Sequence, residues 1–191
     1  MNNSDCRCVI CHDYGDRAER HPADQRLIDN VGEHGWGVLG IPEEDTTGSW
    51  AYTVGLWHTY RMPEVAMFGM NPQTMIAMLN IVGRQVAAGN GLELGQRLDS
   101  VINDGHQVVL RPIDETWRWP LFGTGFRFYR DTPEWPVLHC VWPDRAQRFP
   151  GDPEAAPEFE ERQPRLDLTP AEHPRGKWTT IYEEWLEWSR T

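Results

Sequence analysis

Between Gly48 and Gly83 the hydrophobic pattern changes period twice, and the rest of the chain can be read around that stretch. Trp50, Tyr52 and Val54 alternate with the small residues Ala51, Thr53 and Gly55, so Ser49 to Leu56 reads as a strand with one bulky and one bare face. A helix packed closely on the bare face is the expectation, with a ligand or partner backbone as the alternative. After a short connection, Glu64 to Met70 is apolar on both faces, which marks an interior strand covered on both sides. Asn71 is suited to cap a helix that Pro72 begins, and Met75, Met78, Leu79, Val82 and Val86 recur at helical spacing up to the stop at Gly89.

The flanks extend this unit. Asp24 to His34 predicts a helix ended by Gly35, and Trp36 to Ile41 a strand. The turn-rich Pro42 to Gly48 joins that strand to the next, which predicts an antiparallel hairpin. His106 to Ile113 and Pro136 to Trp142 are short, β-branched or aromatic, and bounded by proline, so both are expected as edge strands. Trp117 to Tyr129 stays open between helix and strand, because Gly123 and Gly125 weaken a helix while the aromatic residues suit either state.

Beyond Pro143 the pattern fades: seven of the fifteen prolines fall between Pro143 and Lys177 among mixed charges. Such a stretch reads as an extended linker without a core of its own. Helical spacing returns at Trp178 to Arg190, with Trp178, Ile181, Tyr182, Trp185 and Leu186 on one side, and this helix is expected to dock on its own domain. The expected organisation is a cysteine-containing segment 1–20, a core domain 21–150, a Pro-rich linker 151–177 and a C-terminal aromatic helix 178–191. The fold class is α+β, a mixed and mainly antiparallel sheet with helices packed on it.

Composition narrows the function classes. A chain of 191 residues suits one substantial core. Its net charge of -11 and the lack of an arginine cluster disfavour binding to a phosphate backbone, so no nucleic-acid partner is expected. No window approaches a membrane span, and Met1 to Ser4 leads into cysteines rather than an apolar export segment. The expected location is therefore cytoplasmic, with reduced thiols and no membrane association.

The N-terminal Cys6, Cys8, Cys11 and His12 carry the one motif with a named chemistry. Cys8 to His12 matches the C-x-x-C-H pattern of covalent haem attachment, a reading set aside because that attachment normally takes place outside the cytosol. Zinc is the better candidate, because Cys8 and Cys11 are spaced to reach one tetrahedral ion and Cys6 and His12 complete a local set. A second C-x-x-C or an H-x-x-x-H is missing downstream, where only His139 and Cys140 stand together, so the expectation is a cofactor-free, reduced and partly mobile N-terminus with zinc as the alternative. His139 and Cys140 should point to opposite faces of their strand, which argues against a thiol and base acting together.

The chain resembles the bacterial domain of unknown function 4262 family in Ala51-Tyr52-Thr53-Val54-Gly55-Leu56, Pro63-Glu64 and Phe68-Gly69. His34-Gly35-Trp36, Val141-Trp142-Pro143-Asp144 and Cys8-x-x-Cys11 with Asp13-Tyr14 extend the resemblance over roughly Cys8 to Pro150. It implies no reaction, cofactor or catalytic residue. The Thr-Val-Gly-Leu strand is also similar, at the level of fold, to the suppressor-of-fused superfamily, whose bacterial members are thought of as immunity or partner-binding proteins.

No G-x-S-x-G, H-E-x-x-H, P-loop or dinucleotide fingerprint occurs. A protein-binding or immunity-like module without catalytic activity is the favoured expectation, with Tyr52, His58 and Trp142 as candidate binding residues and a protein as the partner. The alternative is a small-molecule enzyme, metal-assisted, with His58, Glu64 and His139 at the strand ends.

Overall fold

The computed structural model describes residues 6–45, 47–102, 105–130 and 135–191. Met1 to Ser4, on which the expectation of no export segment rests, lies outside them. One six-stranded sheet has the order β1-β2-β3-β6-β5-β4, formed by Gly37–Ile41, Trp50–Val54, Glu64–Phe68, Val137–Val141, Val108–Pro112 and Arg97–Leu98 in that order. The pairing of β3 with β6 is parallel and the other pairings are antiparallel, so the sheet is mixed and mainly antiparallel, in an α+β fold.

The predicted hairpin is β1 against β2, in the register Gly37 with Val54 and Ile41 with Trp50. Strand β3 is interior and buried along its length, as the apolar run Val65 to Phe68 requires, with Glu64 buried at its start. The helices around it are α1 (Pro22–His34), α2 (Leu56–Tyr60) and α3 (Pro72–Ala87). Helix α1 stops at Gly35, whose φ of 90° ends it in the left-handed region. Helix α3 is capped by Asn71, whose side chain accepts from the backbone N–H of Gln73 at 2.9 Å.

The two sheet faces support two apolar layers. On one, Met75, Leu79, Val82 and Val86 of α3 cover Ala51, Val65, Met67, Leu110 and Cys140, so the bare face of β2 accommodates a helix, as expected. On the other, Trp50, Tyr52, Ala66, Phe68 and Val137 pack against Trp117, Phe122, Tyr129, Trp135, Leu166 and Trp178. The open stretch 117–129 resolves as a 3-10 turn, then α4 (Arg118–Leu121) and α5 (Gly123–Tyr129), two short helices with Gly123 at their junction.

Two expectations need correction. Strand β6 is interior, between β3 and β5, and β5 is itself covered by the two-residue β4. Prolines at the ends of these strands, Pro136 before β6 and Pro112 closing β5, leave the ladder between them intact, so they did not mark edges. The Pro-rich stretch 151–177 also does not run free. It contains α6 (Pro157–Arg162) and buries Gln163, Leu166 and His173 against the body. The Gln163 side chain accepts from Trp142 N at 2.9 Å and donates to Trp142 O at 2.8 Å, pairing with the backbone of the residue that follows β6. A segment poor in apolar residues is thus held by a surface that the domain already has.

The last helix, α7 (Lys177–Ser189), docks on the same chain, as expected. Trp178 and Ile181 are buried, and the Trp178 ring meets Phe68 edge-on at 5.2 Å. Gly48 makes room for that ring, since a Cβ there would come within 2.5 Å of it. Burial fades along the helix: Tyr182, Trp185 and Leu186 are half-buried and Trp188 is exposed.

Candidate metal centre

Three thiols and one imidazole converge where the N-terminal segment crosses the end of β2. The turn from Cys8 to His12 closes with the His12 N–H donating to the Cys8 carbonyl at 3.0 Å, which directs Cys8 and Cys11 to one side with Cys6. Val9 anchors the turn by donating its N–H to the Phe128 carbonyl at 3.0 Å, and Cys6, Cys8 and Val9 are buried in the aromatic layer. From Cys6 to Val9 the segment expected to be partly mobile is therefore packed, while residues 1–5 lie outside the described residues.

The fourth group comes from across the fold. Chain reversal at Gly55, with φ of 112°, leads into α2, whose third residue is His58. His58 Nδ1 lies 3.6 Å from Cys6 Sγ, 3.3 Å from Cys8 Sγ and 3.5 Å from Cys11 Sγ, and the four ligand atoms all lie within 4.8 Å of one another. In a tetrahedral zinc site with Zn–S of ~2.3 Å and Zn–N of ~2.0–2.1 Å, the sulfur-to-nitrogen separation is about 3.6 Å. The arrangement therefore fits a Cys3His centre, and could hold a metal such as zinc.

The electrostatics agree with that geometry. Cys8 is pushed up by its hydrogen bond with Cys6 and by burial, and Cys11 by burial and by the neighbouring Cys6 charge. Cys6 is pulled down, chiefly by the Cys8 hydrogen bond. Burial and mutual contact thus penalise charging Cys8 and Cys11. A divalent ion would remove that penalty, since coordinated thiols deprotonate outright.

The sequence placed Cys6, Cys8, Cys11 and His12 in the local set, and the structure brings together the three cysteines with His58 instead. His12 is exposed, its ring 6.3 Å from that of Tyr14, because in this tight turn the position beside Cys11 faces outward. The signal for His58 was weak, since it lies 47 residues from Cys11 in a stretch that read as a connection.

The other candidates fall elsewhere. Tyr52 is buried against Phe122, with ring centroids 5.0 Å apart, and burial pushes its hydroxyl up to about 12. Trp142 is buried beneath Phe159 and donates its indole N–H to the Phe68 carbonyl at 2.9 Å. His139 packs edge-on to Phe68, while Cys140 lies in the layer on the opposite face, so the two do not cooperate. Burial lowers His139 to about 3 and raises Cys140 to about 12. Glu64 is fully buried and saturated by donors, which removes it as a surface base. Two cavities, of about 420 Å³ and about 610 Å³, are lined by other residues, among them Asp16, Asp24 and Arg127 in the first and Arg162, Arg165 and Arg175 in the second.

This α+β chain belongs to the family described as Domain of unknown function (DUF4262), whose family model matches residues 30–156. The match includes His58 and excludes the three N-terminal cysteines, so it is narrower than the resemblance read from the sequence. No curated protein and no solved structure matches the chain, and the likeness to the suppressor-of-fused superfamily finds no support. Among the described residues no helix is long and apolar enough to cross a membrane.

Proposed function

We propose that the chain is a zinc-binding module in which Cys6, Cys8, Cys11 and His58 hold one structural Zn²⁺, tying the N-terminal segment to α2. The observation that carries this reading is the set of three sulfur-to-nitrogen distances, 3.3 to 3.6 Å, around a single imidazole nitrogen. Four protein ligands close a tetrahedral site, which suits a structural role, whereas a catalytic zinc keeps one position for water or substrate. The competing enzyme reading loses support on this ground, because its other candidates, Glu64 and His139, are enclosed in the core.

The module's wider role in this reading is recognition of a protein partner. Trp119 and Trp188, 54% and 74% exposed, support it, since aromatic residues are enriched where proteins meet. Thiolate ligation suits a reducing compartment such as the cytoplasm. The test is thermal unfolding of purified protein with and without a strong zinc chelator, alongside metal analysis. One equivalent of zinc and a clear fall in melting temperature on chelation support the reading, because binding energy at a closed site is folding energy. A melting temperature indifferent to removal of bound zinc contradicts the structural role.

A further inference from the structure

Helix α2 spans only five residues, and the residue before it, Gly55, has no side chain to cap it. One turn of helix is unfavourable on its own, so its orientation has to be imposed from outside. The imposing group is Glu64, at the start of β3. Its Oε1 accepts the N–H of Gly55 at 2.9 Å and of Trp57 at 3.1 Å, taking two donors from the first turn that carries His58. Its Oε2 accepts from the Thr53 hydroxyl at 2.6 Å, which fixes the carboxyl to the neighbouring strand.

Tyr129 completes the arrangement. Its hydroxyl donates to Glu64 Oε1 and accepts the Gly55 N–H at 2.9 Å. Phe128, the residue before it, presents its ring edge-on to His58 and its carbonyl to Val9 of the cysteine turn. One short stretch of α5 therefore contacts both halves of the metal centre, and Glu64 links that stretch to the backbone beneath His58.

We propose that Glu64, assisted by Tyr129, is the positioning residue of the metal centre: its carboxyl acts as a remote cap for α2 and sets the direction of His58 toward the three thiols. This rests on the zinc reading above. Without the carboxyl, the three cysteines still hold the ion, while His58 Nδ1 loses its fixed approach and water takes the fourth position. A closed centre becomes an open one without a change in any ligand.

The experiment compares wild-type protein with Glu64→Ala, Glu64→Gln and Tyr129→Phe, using Zn²⁺ competition against a chromophoric chelator and the absorption spectrum of the Co²⁺-substituted protein. Leu79→Ala, which opens the layer on the opposite sheet face, serves as the control for general destabilisation. Glu64→Ala is expected to weaken zinc binding ~10–100-fold, the usual loss when an outer partner of a metal ligand is removed. Its cobalt spectrum should keep the sulfur-to-metal bands and shift from three sulfurs with nitrogen to three sulfurs with oxygen. Glu64→Gln keeps one acceptor oxygen and should fall between wild type and Glu64→Ala. Tyr129→Phe, which removes a single hydroxyl, should move in the same direction by less and is the variant to rely on if Glu64→Ala does not fold.

Wild-type affinity and an unchanged cobalt spectrum in both Glu64→Ala and Tyr129→Phe would overturn the proposal, as would an equal loss in Leu79→Ala. Failure of the wild-type protein itself to bind zinc would instead strike the zinc reading, and the role of Glu64 with it.

Discussion

His58 Nδ1 stands 3.3 Å from Cys8 Sγ, although 50 residues separate the two in the chain. Neither residue would be at the centre without a separate piece of the fold. Cys8 depends on the turn anchored to Phe128, and His58 on the chain reversal at Gly55. A bond to one ion at this point would join the N-terminal segment to the hairpin that begins the sheet. The consequences reach beyond the site.

Loss of one thiol should act through stability rather than through local chemistry. Cys8→Ser and Cys11→Ser are each expected to lose zinc and to lower the melting temperature, with chelator having no further effect on either variant. Differential scanning calorimetry with metal analysis checks this, and a chelator-sensitive transition surviving in both would count against thiolate ligation.

The docking of α7 supplies a second expectation. Trp178 fills the space between Trp50 and Phe68, so Trp178→Ala should cost ~3–5 kcal/mol, the range for emptying a buried aromatic site. Trp188→Ala, at the exposed end, should fall within about 0.5 kcal/mol of wild type. Urea denaturation measures both, and equal effects would mean that the helix is not seated as described.

A third concerns the Pro-rich stretch. Gln163→Ala leaves the Trp142 N–H and C=O without the partner they share in the core, at a cost of ~1–3 kcal/mol for such unsatisfied groups. Faster proteolysis between residues 151 and 177 should accompany it. An unchanged cleavage rate would show that Gln163 does not hold the segment.

Much of this fold was legible in the sequence. Periodicity located β2, β3 and α3, and Asn71 and Gly35 marked helix ends, because each of these signals is local. The errors arose where distant surfaces decide. Helix α2 has too few residues to show a period, and its cap comes from Glu64, nine residues beyond Gly55. The interior place of β6 depends on which strands pair with it, which its bounding prolines do not reveal. The Pro-rich stretch looked unable to fold because the surface holding Gln163 and Leu166 belongs to the preceding domain. For the metal centre the three cysteines were visible as a cluster, while the choice of His58 over His12 needed the reversal at Gly55.

The buried His139 predicts a particular dependence on pH. Burial, and secondarily the Arg111 charge, lowers it from 6.5 to about 3, so the folded chain binds fewer protons than the unfolded one in that window. Its contribution to stability is fully present above about pH 6.5 and is lost as pH falls toward 3, by up to ~1.4 kcal/mol per pH unit. The stability of wild type minus that of His139→Leu should accordingly decline between pH 6.5 and pH 5, with other acid-sensitive groups cancelling in the difference. A difference flat across that interval would place a proton on His139 in the folded state.

The identity of the four ligands is read by X-ray absorption of the zinc-loaded protein. Three sulfurs at ~2.3 Å and one nitrogen at ~2.0–2.1 Å are expected, with the nitrogen lost in His58→Ala and retained in His12→Ala. A nitrogen that survives His58→Ala and disappears in His12→Ala, or a first shell without three sulfurs, would contradict this set of ligands.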